Sequence, residues 1–201
     1  MHQNSKIIHP SILYYGTPVI LLSTLNEDGS TNLSPLSSSW ALGDSIVLGV
    51  GIDGKALENL ERQAGCVINV PDSSLWSNVE RLAAYTGKRC VPEEKKRLGF
   101  TYLKEKFAAG GFTAADSLAV KPDRVADCPL QIEAEAVNIR LPEHSPYFAV
   151  IETKVLHVHA HEAIIKGEHH IDPQKWGPLI YLFRHYFGLG RELGRTFRAR
   201  M

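Results

Sequence analysis

The sequence predicts a mainly β fold with short helices, of the α+β class, in which the sheet closes or nearly closes into a barrel. Three observations lead there. Apolar β-prone runs follow one another with only turn residues between them, the helical patterns are short, and two long β-rich runs fill the second half. Six or more strands with short helices between them favour a barrel over a parallel βαβ sheet.

The first strand is Val19–Leu25, followed by the turn residues Asn26-Glu27-Asp28-Gly29 and a return strand over Ser30–Ser34. A second hairpin turns at Gly43-Asp44, with Ser45–Gly51 as its apolar second arm. Gly49 and Gly51 flank Val50 there, and glycine within a strand marks a bulge or a close backbone approach. Asp53 or Gly54 starts a short helix with Ala56, Leu57, Leu60 and Ala64 at helical spacing, ended by Gly65. Cys66–Val70 reads as a buried strand stopped by Pro71. A second helix runs from Asp72 or Ser73 to Tyr85, with Leu75, Val79, Leu82 and Ala83 as its apolar stripe.

From Lys88 to about Val120 the pattern loosens. Pro92 opens a short solvated helix through Arg97, and Gly110-Gly111 breaks the chain after Phe107. The whole chain, 1–201, is expected to be one domain, with 88–120 as a lid or dimer-contact insertion on it. Leu130–Leu141 then alternates, with Gln131, Glu133 and Glu135 on one side and Leu130, Ile132, Ala134 and Ala136 on the other. Phe148–Ile164 is a further β-rich run that Glu162 and Ala163 can interrupt. Asp172-Pro173 carries the start signal of a last helix through Trp176, Leu179, Ile180 and Phe183.

Lys plus Arg and Asp plus Glu number 22 each, a balance that argues against electrostatically driven binding to nucleic acid or to a membrane surface. The polar start Met-His-Gln-Asn-Ser-Lys lacks the order of a signal peptide, and no apolar run approaches a membrane span, so a cytoplasmic location is expected. Cys66, Cys90 and Cys128 are odd in number and widely spaced, which reads as buried reduced thiols rather than a disulfide framework or a CxxC motif.

The segment with most chemical promise is Asn32-Leu33-Ser34-Pro35-Leu36-Ser37-Ser38-Ser39-Trp40. Short hydroxyl and amide groups crowd a place where two strands meet, and a turn there could aim backbone N–H groups at an anion. Leu36 or Trp40 could add an apolar wall. An ordinary serine-rich loop is the competing reading. Lys55 and Asn59, four apart, share one face of the first helix, and Lys55 lies in its first turn, where free N–H groups and a cation could receive a phosphate. Arg62 is a further cation on about the same face. A solvated face carrying Lys55, Glu58, Glu61 and Arg62 explains the same residues.

Taken in order, Tyr15-Gly16-Thr17-Pro18-Val19, Thr24–Gly29, Asn32–Ser38, Glu58-Asn59-Leu60, Cys66–Asn69, Thr86-Gly87, Cys128–Ala134 and Ile171-Asp172-Pro173 resemble the flavin reductase family over nearly the whole chain. The resemblance implies the FMN-binding split barrel, a homodimer with flavin sites near the subunit interface, and hydride transfer from NADH or NADPH to FMN. Asn32, Pro35 and Ser37, with Ser34, Ser38 and Ser39 beside them, match the family's Asn-x-x-Pro-x-Ser segment and would contact FMN. Lys55 and Asn59 match its next flavin-contacting helix, and Asn69 ends the following strand near the site. Ala56 departs from the threonine common three residues before that asparagine, so one phosphate-binding hydroxyl is missing. The hard chemistry belongs to the two cofactors, and no catalytic acid is assigned.

Other signals are weaker. His157, His159 and His161 alternate along a strand and face one way at a spacing of ~7 Å. Zinc needs ligands converging about 2 Å from one ion, so no metal is expected. Gly188-Leu189-Gly190 echoes a dinucleotide fingerprint with the wrong spacing and context. Arg191, Arg195, Arg198 and Arg200 with Phe197 make a basic tail that reads as solvated or dimer-clasping. Hydrolase and nucleotidase motifs are absent. The rival readings are a non-enzymatic FMN-binding or electron-carrier protein on the same barrel and a metal protein built on the histidine strand.

Overall fold

The computed structural model describes residues 5–196. Arg198, Arg200 and Phe197 of the basic tail lie outside that range. Seven strands form one antiparallel sheet: β1 Ile20–Leu25, β2 Thr31–Leu36, β3 Ser39–Leu42, β4 Ser45–Gly51, β5 Gly65–Val70, β6 Leu130–Arg140 and β7 Phe148–Ala160. Their order across the sheet is β2-β1-β5-β6-β7-β4-β3. The strands at the two ends of that order, β2 and β3, are consecutive in the chain and separated only by Ser37 and Ser38. Two residues cannot span seven flat strands set ~4.8 Å apart, so the sheet must curl until its ends meet. Ser38 marks the meeting point, its carbonyl accepting from the Gly49 amide of β4 at 2.7 Å. A β-carbon on Gly49 would come within 2.9 Å of the Ser38 Cβ, which is why this strand position holds glycine.

The hairpins follow their turn chemistry. Gly29 has φ +82° in the β1–β2 turn, and Gly43 has φ +64° in the two-residue turn that sets Leu42 opposite Ser45. The run Val19–Leu22 that leads into β1 is unbroken hydrophobic sequence because both faces are covered there. Ile20 and Leu22 point into the barrel with Ile46, Leu48, Ile68 and Ile151. Val19 and Leu21 point outward into a second core with Leu33, Val79, Leu82, Phe112 and Leu179. Helix α1, Lys55–Arg62, plugs the barrel with Ala56, Leu57 and Leu60. Helix α2, Trp76–Ala83, covers the outer face after a short 3₁₀ turn over Ser73–Leu75 whose Ser74 amide is capped by Asp72.

The 88–120 region carries two five-residue helices, α3 Glu93–Arg97 and α4 Lys106–Gly110. Gly111 ends α4 in the left-handed conformation at φ +67°. The stretch is tied to the barrel by Glu133. The alternation of β6 suggests a polar outer face, but Gln131 and Glu133 are buried and only Glu135 is exposed. Glu133 accepts the amides of Leu118, Ala119 and Val120 and faces His159 Nε2 at 2.6 Å. Burial alone would push its carboxyl up, but these donors outweigh it and hold the group down at about 2. The histidine strand is thus partly spent: His159 meets Glu133, and His161 Nε2 lies 2.8 Å from the Ala126 carbonyl oxygen. Among the described residues no group of three or more His, Cys, Asp or Glu side chains could hold a metal ion.

Two expectations need correction. The helix predicted from Asp172 onward does not form. Its start signal makes a single turn, with the Gln174 amide on Asp172 Oδ1 and the Lys175 amide on Asp172 O. Pro178 then cannot continue a helix, since it lacks an N–H and disfavours helical geometry in the residue before it. Leu179 instead bonds Pro71 O and the Val19 amide, and Ile180–Leu182 pairs with Tyr15–Pro18 and with His185–Phe187. Strand β7 stops at Ala160, and Glu162–Ile164 is a 3₁₀ turn, the interruption expected there. The second correction concerns the cysteines. Cys66 and Cys128 are buried, whereas Cys90 is exposed. No helix among the described residues is long and apolar enough to cross a membrane.

Candidate functional site

A cavity of about 380 Å³ opens where the curled sheet fails to seal, along the free edge of β2. Strand β2 pairs only with β1, so alternate backbone groups on its other edge need partners. Pro35 suits such an edge, where it need give up no ladder bond. Leu33 O takes its partner from Lys106 Nζ at 2.8 Å.

The wall is mixed in chemistry. Ser34, Pro35, Leu36, Ser37 and Ser38 come from the end of β2 and the link to β3. Opposite stand Gly49, Val50 and Gly51 of β4, then Gly54, Lys55 and Ala56 at the start of α1, a run of small residues that leaves backbone accessible. Val79 and Leu82 of α2 give an apolar floor, and Tyr14, Tyr85, Phe100, Tyr181 and Tyr186 supply ring surface. Tyr14 Oη lies 2.7 Å from Ser38 Oγ.

Three lysines reach this space and differ in how they are paired. Lys55 is neutralised, bonded to Glu27 at 2.7 Å and to Glu58. Burial works against its charge, but those two carboxylates outweigh it and raise its pKa. Lys106 is 3% exposed and bonded to a backbone carbonyl. Burial, with Lys95 nearby, pushes its amine down to about 8. Lys95 is half-buried, its Nζ on the Asp53 carbonyl, and is lowered first by burial. The cavity therefore carries positive charge without a carboxylate bonded to it among the described residues, at Lys106 and at Lys95, the latter partly offset by the nearby Asp53.

Of the residues singled out in the sequence, Ser34, Pro35, Ser37, Ser38 and Lys55 converge on this cavity. Asn32 is buried behind it, donating to Ser34 Oγ at 3.1 Å and lining an adjoining space of about 270 Å³ with Lys55 and Gly87. Ser39 pairs with Leu48 in the sheet and lines neither space. Asn59 is fully buried and donates to Thr24 Oγ1 and Asn26 Oδ1. Asn69 is fully buried too, bonded to Leu21 O, Ser23 Oγ and the Val125 amide. Both asparagines hold strands and loops together behind the wall. Ala56 packs in the barrel core and borders the cavity, so no hydroxyl is available at that position. Leu36 is an apolar wall, whereas Trp40 points away and is 59% exposed. The sequence reading missed Lys106, Lys95 and the tyrosines. A lysine opening the small apolar run Phe107-Ala108-Ala109 is the one local hint of a buried amine.

A family model described as the flavin reductase like domain matches residues 12–190. The chain belongs to the flavin reductase-like family. This flavin reductase-like protein is 60% identical over 194 residues to the uncharacterized protein YdfE of Bacillus subtilis (strain 168), covering 96% of this chain and 94% of that one. Among solved structures it resembles the flavoredoxin of Desulfovibrio vulgaris (Miyazaki F), with a TM-score of 0.79 at 18% identity over 98% of this chain and 100% of the other. It also resembles a split-barrel protein of Shewanella frigidimarina NCIMB 400, with a TM-score of 0.72 at 18% identity over 92% and 87% of the two chains. The curled seven-stranded sheet of this family member is the split barrel, as its resemblance implied.

Proposed function

We propose that this flavin reductase-like protein is an oxidoreductase that holds FMN in the 380 Å³ cavity and passes hydride to it from NADH or NADPH. One observation carries the reading: serine hydroxyls, accessible glycine backbone and lysine charge without a bonded carboxylate converge on a single partly apolar cavity. Such a wall suits a flat ring system bearing a phosphate. Ser34, Ser37 and Ser38 would hold polar edges or the phosphate, with the first amides of α1 available to an anion. Leu36, Val50, Val79 and Leu82 would pack the ring. Lys106 and Lys95 would favour negative charge on the occupant in a setting screened from water.

When bound, FMN supplies the hydride and electron chemistry, and the chain's task is to bind, orient and exclude water. The site residues remain Ser34, Pro35, Ser37, Ser38 and Lys55 as direct contacts, with Asn32, Asn59 and Asn69 as supports of the wall and Ser39 holding the strand link. The 88–120 stretch delivers Lys95, Phe100 and Lys106 to the cavity, so it serves as its lid. We further propose a cytoplasmic homodimer that buries the open side of the site.

Equilibrium titration with FMN, followed by anaerobic oxidation of NADH and NADPH, tests the reading. Two serine hydrogen bonds of about 0.5–1.5 kcal/mol each predict a roughly 5- to 150-fold loss of FMN affinity in the Ser37→Ala, Ser38→Ala double variant. Unchanged affinity in the folded double variant removes those two contacts. FMN binding without consumption of either nicotinamide makes the protein a carrier, and no flavin binding removes the function.

A further inference from the structure

We infer that a groove beside the cavity receives the adenosine diphosphate half of the nicotinamide donor; this rests on the oxidoreductase reading above. The groove has a volume of about 630 Å³, within the range of pockets that hold small organic ligands. It lies between α2 and the hairpin formed by Ile180–Leu182 and His185–Phe187.

Its chemistry matches a purine joined to two phosphates. Trp76 of α2 and Phe187 of the hairpin line it and leave 51% and 48% of their surface in water. Half-exposed aromatic faces of this kind stack on bases. Arg184 and His185 stand on the hairpin, and a guanidinium grips phosphate oxygens in pairs. Among the described residues Glu80 is the only carboxylate lining the groove, and the Tyr186 hydroxyl donates to it at 3.0 Å. Burial, then this partner, pushes the tyrosine hydroxyl's pKa up. That bond holds the carboxylate beside Tyr186 without removing its charge, and Arg184 supplies the groove's guanidinium.

Phe183 and Arg184 are the two central residues of a tight hairpin turn, which fixes where Arg184 stands. Phe183 and Arg184 adopt φ +43° and +70°, a left-handed conformation that costs side-chain-bearing residues free energy. Tyr186 connects groove and cavity because it lines both. Its ring lies 6.4 Å from Trp76 and 5.7 Å from Tyr181, so a dinucleotide anchored in the groove can reach inward past Tyr186.

The probe is ADP, which lacks the nicotinamide and therefore reports on the groove without turnover. Titration of ADP into flavin-free and FMN-loaded protein should quench tryptophan fluorescence, and Trp76→Phe should remove the quenching. Arg184→Gly keeps the turn, since glycine accepts its φ, and should weaken ADP about tenfold. The same variant should raise the KM for NADH by a similar factor, with the loss falling on KM rather than kcat. The inference is overturned if ADP fails to bind while NADH oxidation proceeds. It is equally overturned if Arg184→Gly leaves the KM unchanged, or if a second copy of the chain occupies the groove and excludes ADP. ADP binding without FMN binding would sink the oxidoreductase reading and leave a nucleotide groove standing, so the two failures are separable.

Discussion

Replacing Glu133 by Gln removes a charge that three consecutive amides and His159 surround, and the cost can be worked from the structure. A carboxyl that titrates near 4.5 when free and about 2 in the fold contributes about 3 kcal/mol of stability at neutral pH. Glutamine keeps the shape and one acceptor oxygen, but its NH₂ would face amides that need an acceptor. Leaving one buried N–H unmet costs about 1–3 kcal/mol. The two costs fall on the same amide contacts and overlap, so a loss of about 2–4 kcal/mol is expected, lowering Tm by roughly 4–16 °C for a chain of this size. Because the folded value is depressed, the contribution is present above pH ~4.5 and fades as pH falls towards 2. Urea unfolding of wild type and Glu133→Gln from pH 7 to pH 3 tests both points. A difference under about 0.5 kcal/mol at pH 7, or one that does not shrink on acidification, refutes the argument.

Lys106→Met removes an amine whose burial opposes its charge but leaves Leu33 O without its donor, so the flavin-free variant should be more stable than wild type by only about 0.5–2 kcal/mol at pH 7. The gain should vanish as pH rises from about 8 towards 10.5, where wild type loses the proton, while FMN affinity falls. Gly49→Ala drives a methyl group into Ser38 and should cost about 1–3 kcal/mol in chemical denaturation, with FMN binding impaired because the β2–β3 link shifts. A thiol-reactive chromophore should titrate one cysteine in the native protein, Cys90, and all three after denaturation. Burial pushes the Cys66 thiol up to about 12 and the Cys128 thiol higher still, which reinforces their inertness. Phe183→Asn should raise Tm by a few degrees, because asparagine tolerates the left-handed turn.

Local chemistry was legible where it decides structure alone. Asn26–Gly29 and Gly43-Asp44 are turns because glycine occupies the positive-φ positions, and α1 follows its apolar spacing. The Ser34–Ser38 segment stands out because small polar residues collect where β2 must reach β3. What failed depends on distant partners. Glu133 looks like a surface carboxylate until the 118–120 amides arrive from another part of the chain. Lys106 is buried only because the free edge of β2 offers Leu33 O. At Asp172 the local start signal was real, but Pro178 and the open edge of Tyr15–Pro18 took over the following residues. Asn59 and Asn69 lie near the cavity in sequence terms yet face away from it, since side-chain direction is set by register.

The strand order also dictates how the protein can be made. The β6–β7 hairpin belongs in the middle of the sheet, between β5 and β4, although it is synthesised last of the seven strands. As the chain emerges from the ribosome, β4 and β5 therefore present unpaired edges that nothing already synthesised can fill. At about 5–20 residues per second, roughly 5 to 20 s separate the appearance of Val70 from that of Ala160. During that interval the nascent chain exposes two apolar strand edges to its neighbours. Overproduction should accordingly favour inclusion bodies at high translation rates, and slower synthesis with chaperones at hand should favour the closed barrel.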